Sequence, residues 1–396
     1  TLTDPSGNES DPSPALSVTI DETAPTAPVA PTLDPASDTG TPGDDITSDT
    51  TPTITGTDGT PGETVTLYAD GTEVGTATVE SDGSYSVTPD APLAEGTPAL
   101  TVTFTDPSGN ESDPSPALSV TIDETAPATP AAPALDPVSD TGEAGDGITS
   151  NPTPALTGTG TPGDEVTLYA DGTEVGMATV GPDGTYSVTP DAPLAEGTTE
   201  LTVTTTDPSG NESDPSPALS VTLDTITPAA PTVDSFSDDT GTAGDGITSD
   251  NIPTFNGTAE ANSTVEVFAN GTSIGTTTAD NTGNWSLDYS GLPLADGAYT
   301  VTAIATDQAG NDSSVSPPLE ITIDVVAPAT PGQPTLDPAS DTGEVGDGLT
   351  NDPTPTLTGT GTPGDEVTLY ADGTEVGRSA ERRVGTECRS RWSPLP

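Results

Sequence analysis

Leu100-Thr101-Val102-Thr103-Phe104-Thr105-Asp106-Pro107-Ser108-Gly109-Asn110 decides the fold class of this chain. Leu100, Val102 and Phe104 alternate with threonines, the period-2 pattern of a strand with one apolar face. Asp-Pro-Ser-Gly-Asn then ends the strand, because proline gives up a donor and glycine permits a reversal. The same pentad begins at Asp4 and Asp207, with the variant Asp-Gln-Ala-Gly-Asn at Asp307, so the period is about 100 residues. That is too long for a solenoid repeat and the size of a small independent domain.

Other segments keep the same beat. Tyr68-Ala69-Asp70-Gly71 returns at Tyr169, as Phe268-Ala269-Asn270-Gly271, and at Tyr370. Ser-Asp-Thr-Gly returns at Ser37, Ser139 and Ser340, with an inserted Asp after Ser237. Within one period the pattern predicts seven strands: 29–35, 52–57, 64–69, 73–79, 84–88, 99–105 and 117–122. Asp70-Gly71 and Asp82-Gly83 are turn dipeptides between apolar runs. Seven short strands in such a period predict an all-β, Ig-like sandwich without the Cys–Trp–Cys core of antibody domains. Each sheet is expected to have an apolar inner face and a wet, threonine-rich outer face. No segment holds a 3.6-residue stripe, so no helix is expected.

The period divides the chain into whole modules at 25–126, 127–227 and 228–327. Residues 1–24 repeat the end of a module, since 4–25 matches 106–127 residue for residue. Residues 328–377 repeat the first half of one, expected not to fold alone because it would expose strand edges. Residues 378–396 reverse the composition abruptly and hold all five basic residues and Cys388. They read as an in-frame translation of a sequencing adapter, the other reading being a basic tail for anionic surfaces. Short Pro-rich segments at 125–133, 227–231 and 327–334 follow the last strand of each module and predict stiff joints in a rod.

Composition limits the chemistry. The 396 residues include 64 acidic and 5 basic ones and no histidine, for a net charge of −59. Such a chain repels nucleic acid and anionic lipid, and no apolar run is long enough for membrane insertion. Hydrophobic residues at 29% and aromatics at 3%, with 43 Gly and 44 Pro, resemble disorder or a mucin-like stalk, but the ordered strand pattern argues against both. Without His, Cys or Lys before residue 378, most nucleophile, base and zinc arrangements are missing, so no enzyme is expected. A glycosidase-type carboxylate pair remains, but the carboxylates recur in every module, which suits structural sites better. Gly158-x-Gly160-x-x-Gly163 spells a dinucleotide fingerprint in a strand–turn–strand context, with no helix to hold a pyrophosphate.

The carboxylates gather at module ends. In Ig strand order the loop carrying Asp38, Asp44, Asp45 and Asp49 lies at the C-terminal pole, beside Asp123 and Glu124. The loop from Asp207 to Glu212 lies at the opposite pole and faces the preceding module. Candidate metal ligands at the joints are therefore Asp21 in the cut module, and Asp38, Asp44, Asp45, Asp49, Asp106 and Asp123 in the first whole one. Their counterparts are Asp140, Asp146, Asp207, Asn211 and Asp224, then Asp239, Asp245, Asp250, Asp307, Asn311 and Asp324. Hard oxygen donors in that number suit Ca²⁺, which extracellular modules bind at about 10⁻⁴–10⁻³ M. Solvated acidic loops would account for the acidity, but not for its concentration at module ends.

Three stretches carry a family likeness: Asp239-Thr240-Gly241 with 244–250 (GDGITSD), Pro253-Thr254-Phe255-Asn256-Gly257-Thr258-Ala259, and Thr306-Asp307-Gln308-Ala309-Gly310-Asn311. Val120-Thr121-Ile122-Asp123 followed by Ala126-Pro127 completes it. The chain resembles the bacterial Ig-like repeats of giant, non-fimbrial biofilm and host-contact adhesins. The resemblance covers residues 1–377 and implies export by a type I system, a Gram-negative cell surface, calcium at the joints and an extender role in adhesion and biofilm formation. It also implies that other parts of the parent protein meet host or biofilm ligands, while these modules touch calcium and their own neighbours. Two alternatives stay open. Modules could bind carbohydrate or protein directly, with Trp285, Tyr289 and Tyr299 the aromatics that set the third module apart, or they could be spacers of a secreted enzyme.

Overall fold

The computed structural model describes residues 1–362 and 365–378 in full and the backbone of 388–391. The described residues form strands and turns only. No helix among them is long and apolar enough to cross a membrane. Two compact units result: residues 1–228 with 306–313, and 229–305 with 314–396.

The first unit holds two sandwiches of one design. In the first, β1 (Thr32–Leu33), β3 (Ile54–Gly56) and β6 (Tyr85–Val87) form a three-stranded sheet. The facing sheet has the order β5 (Thr72–Thr78), β4 (Thr64–Ala69), β7 (Ala99–Thr105), β8 (Leu118–Ser119). β4 and β7 run antiparallel, with Val65 opposite Phe104 and Leu67 opposite Val102. The alternation seen in the sequence thus aims Val65, Leu67, Leu100, Val102 and Phe104 into one core with Ile54, Tyr85 and Val87. Full burial of each such side chain contributes roughly 1.5–3 kcal/mol. Tyr85 meets Phe104 edge-on, with ring centroids 5.6 Å apart, and burial pushes its hydroxyl up to about 12.

One strand was not legible. β2 (Ile46–Thr47) lies inside the acidic loop between the expected first and second strands and pairs in parallel with β9 (Thr121–Ile122). The second sandwich repeats this: β10 (Ala134–Leu135), β12 (Leu156–Thr159) and β15 (Thr185–Val188) form one sheet. In the other, β11 (Ile148–Thr149) joins β17 (Leu219–Leu223), β16 (Gly197–Thr206), β13 (Glu165–Ala170) and β14 (Thr173–Thr179). The expected first strand at 29–35 shrinks to two residues, because Pro28, Pro31 and Pro35 have no N–H for a ladder. Gly158-x-Gly160-x-x-Gly163 runs from β12 into a turn, with Gly158 paired to Tyr186.

The parallel strand is anchored by a buried threonine. The hydroxyl of Thr149 donates to the Ser139 carbonyl at 2.6 Å and accepts the Asn151 N–H at 3.0 Å. Thr47 does the same for Ser37 and Asp49. Thr149→Val keeps the shape but strands a buried carbonyl and an N–H, so it is expected to destabilise its module by about 1–3 kcal/mol. Chemical unfolding followed through exchange of the 165–206 amides checks this.

The outer faces are less wet than the alternation implies. Thr66 and Thr103 are buried. Glu111 covers Thr103, accepting bonds from the Thr103 hydroxyl and the Tyr68 phenol, both at 2.9 Å. Residues 16–20, the counterpart of β8 and β9, form no strand, and Leu16, Val18 and Ile20 stand exposed.

In the second unit, β18 (Ser235–Phe236), β20 (Thr254–Thr258) and β23 (Asn284–Asp288) form one sheet. The other has the order β19 (Ile247–Thr248), β25 (Leu319–Ile323), β24 (Gly297–Thr306), β21 (Thr264–Ala269), β22 (Thr272–Thr278). Trp285 is only 3% exposed and sits in the core with Phe255 and Val301. Beyond these, β26 (Thr335–Leu336), β27 (Thr356–Gly359) and β30 (Cys388–Arg391) pair, as do β28 (Thr368–Ala371) and β29 (Thr374–Arg378). The adapter reading covers 378–396, of which 379–387 and 392–396 lie outside the described residues.

Candidate functional site

The pentad that ends β7 and β16 builds a closed loop. The Asp207 carboxylate accepts the Asn211 N–H at 2.9 Å through Oδ1 and the Asn211 Nδ2 at 3.0 Å through Oδ2. The Gly210 N–H returns to the Asp207 carbonyl at 3.0 Å. Asp106 and Asn110 repeat the arrangement, and the Asn110 side chain holds the Asp106 carboxyl below the usual carboxylate range. The loop at 306–313 closes in the same way through Asp307 and Asn311.

The second amide hydrogen of each asparagine reaches across a joint. Asn211 Nδ2 donates to the Asp123 carbonyl at 2.8 Å, Asn110 Nδ2 to the Asp21 carbonyl at 3.1 Å, and Asn311 Nδ2 to the Asp224 carbonyl at 2.8 Å. Around the first of these, the Thr39 hydroxyl donates to the Ser209 carbonyl at 2.5 Å and the Thr41 N–H to the Pro208 carbonyl at 2.9 Å. The Ser209 hydroxyl donates to Asp123 Oδ2 at 3.2 Å. The pole-to-pole meeting expected of these two loops is therefore present.

The carboxylates expected to meet there mostly serve their own loops. Asp44, Asp49, Asp146, Asp245 and Asp250 each accept the backbone N–H two residues on, at 2.8–3.0 Å. Asp21, Asp123, Asp224 and Asp324 do the same at 3.0–3.1 Å. Asp45 bends the chain at a positive φ of 58°. Asp38, Asp140 and Asp239 each accept an N–H five residues on at 2.5 Å through Oδ2, from Gly43, Gly145 and Gly244. Their Oδ1 atoms are buried with no hydrogen-bond partner, and so is that of Asp341. Among the described residues, no three His, Cys, Asp or Glu side chains gather as a metal-holding group. The only ion pairs among them join Arg378 to Glu366 and Glu375.

Thr39, Gly40, Ser209 and their counterparts Thr141 and Gly142 were not singled out as site residues from the sequence. Their signal was the recurring Ser-Asp-Thr-Gly, visible as a repeat but silent about its partner. Of the aromatics that set the third module apart, Trp285 is core, and Tyr289 and Tyr299 are half-buried against that core with their hydroxyls on the Leu292 and Ala295 carbonyls.

The sequence matches the bacterial Ig-like domain at residues 24–124, 126–225, 227–325 and 328–392. The chain belongs to the bacterial Ig-like domain family. Its fourth match runs into the 378–396 segment. Exoglucanase B of Cellulomonas fimi is 32% identical over 321 residues, 77% of this chain, and the match spans only 26% of that relative. Among solved structures, a tetra-tandem repeat from the extending region of a large adhesion protein is 26% identical, covering 84% of this chain and 80% of its own, with a TM-score of 0.25. A 1.5-MDa bacterial ice-binding adhesin structure is 23% identical, covering 76% of this chain and 98% of its own, with a TM-score of 0.27. Family membership rests on the sequence match.

Proposed function

We propose that this chain is a non-catalytic extender, the stalk region of a large bacterial cell-surface or secreted adhesin exported by a type I route. It holds a ligand-binding part away from the cell during adhesion and biofilm formation. The observation that carries the reading is the joint: the same asparagine bridges one module to the C-terminal end of another at Asp21, Asp123 and Asp224. A spacer needs reproducible joints. The match to Exoglucanase B favours a second reading, in which such modules space the parts of a secreted enzyme.

Calcium is part of the proposal. The donor set fits a hard cation in kind, since every side-chain donor at the joint is oxygen or amide and one buried carboxylate oxygen per repeat lacks a partner. Coordination around Asp38, Asp140 or Asp239 would draw on carbonyls, hydroxyls and water, because no trio of acidic side chains is present among the described residues. A cation there would offset the self-repulsion of a chain with net charge −59. At about 100 times Kd, one such site raises module stability by about 2.7 kcal/mol. Melting and small-angle scattering of the full chain in calcium and in chelator test this. A higher melting temperature and a longer, stiffer particle in calcium are expected; identical curves would remove calcium from the proposal and leave the extender reading standing.

A further inference from the structure

The two faces of the joint meet in direct hydrogen-bonded contact. On one face stands the closed Asp-x-x-Gly-Asn loop; on the other, the Thr39–Gly40 loop and the carbonyl of Asp123. Gly40 has a positive φ of 73°, and an added Cβ would lie 2.0 Å from the Pro208 carbonyl oxygen and 2.6 Å from the Gly210 nitrogen. No side chain fits under the plug. The second instance has the same parts. Thr141 Oγ1 donates to the Ala309 carbonyl at 2.6 Å, and a Cβ on Gly142 would lie 2.0 Å from the Gln308 carbonyl oxygen. Gly241, the same position in the third module, has a similar φ of 83° with nothing within 4 Å of an added Cβ.

We infer that the Asp-x-x-Gly-Asn loop is a docking plug whose partner is the Thr–Gly loop and terminal aspartate carbonyl of a neighbouring copy, and that this direct latch sets the geometry of the joint. The asparagine is the positioning residue. One amide hydrogen stays on its own loop's aspartate, which fixes the rotamer, and the other is thereby aimed at the neighbour's carbonyl. Thr39 adds a hydroxyl whose lone pair already accepts the Ser48 N–H at 2.7 Å, leaving its proton for Ser209. The glycine supplies the clearance. This deepens the extender reading, because a latch specified by module sequence gives every joint the same geometry. It is separate from the calcium proposal.

The test places spin labels on exposed Thr72→Cys and Glu165→Cys in the full chain carrying Cys388→Ser, and reads the distance distribution in calcium and in chelator. Loss of one ordinary hydrogen bond shifts a two-state joint about two- to tenfold toward open, so Asn211→Ala should broaden the distribution in both conditions. Gly40→Ala, which leaves the plug loop intact, should broaden it as well. Gly241→Ala carries the same backbone strain without the collision and should match the parent. The inference fails if Asn211→Ala or Gly40→Ala leaves the distribution unchanged, or if chelator alone broadens the parent as much as the substitutions do. A parent that calcium does not narrow, with both variants broadened, would count only against the calcium proposal.

Discussion

Phe104→Ala is expected to destabilise the first module by about 3–5 kcal/mol, most of what a domain of this size has to lose. Phe104 is among the largest fully buried side chains of the chain, on β7 opposite Val65 and edge-on to Tyr85. The core it fills is thin. Only twelve buried residues make it up, so neighbours have few ways to close a ring-sized void. Several modules melt in one chain, and a single transition would mix them. Amide exchange resolves them: 64–69 and 99–105 should lose protection, while 165–170 and 197–206 in the second module keep theirs. Equal loss in both modules would show that the sandwiches do not unfold independently.

Legibility followed the length of the pattern. β4 and β7 carry six- and seven-residue alternations, and both lie where the period placed them. β2 has two residues, Ile46 and Thr47, and two residues have no period; its support is a parallel partner 75 positions away in sequence. The joint was legible as a place, because strand order puts those loops at facing poles. Its chemistry was not. An aspartate in a loop reads as a free carboxylate, yet Asp207 is satisfied by Asn211, and Asp44 by the N–H of Ile46. Most of the groups that cross the joint are an amide, hydroxyls and backbone groups, which composition does not flag, and the one carboxylate among them, Asp123, only accepts from the Ser209 hydroxyl. Trp285 misled for a related reason: it replaces the tyrosine of the other modules, and replacement at a core position looks like novelty in a list of residues.

Gly158→Ala is expected to cost about 1–3 kcal/mol or more, through overpacking and not through loss of backbone freedom. Gly158 pairs directly with Tyr186 across β12 and β15, and an added Cβ would lie 2.3 Å from the tyrosine oxygen and 2.4 Å from Cζ. The ring is buried, with Leu156, Val180 and Val188 in its core, so moving it aside breaks that packing. Gly56 with Tyr85 and Gly257 with Trp285 are the same cross-strand pair in the other modules, and each glycine is the hole into which an aromatic ring fits. Such a pair makes a specific prediction about coupling. Tyr186→Ala alone leaves a cavity and should cost about 3–5 kcal/mol. In the double variant the new methyl enters space the ring has vacated, so the clash disappears and the two costs should not add. Additive losses in denaturant unfolding would mean that Gly158 acts on the strand itself and not on the ring. Sub-additive losses would tie the glycine that spells a nucleotide-binding motif to the packing of a sandwich core.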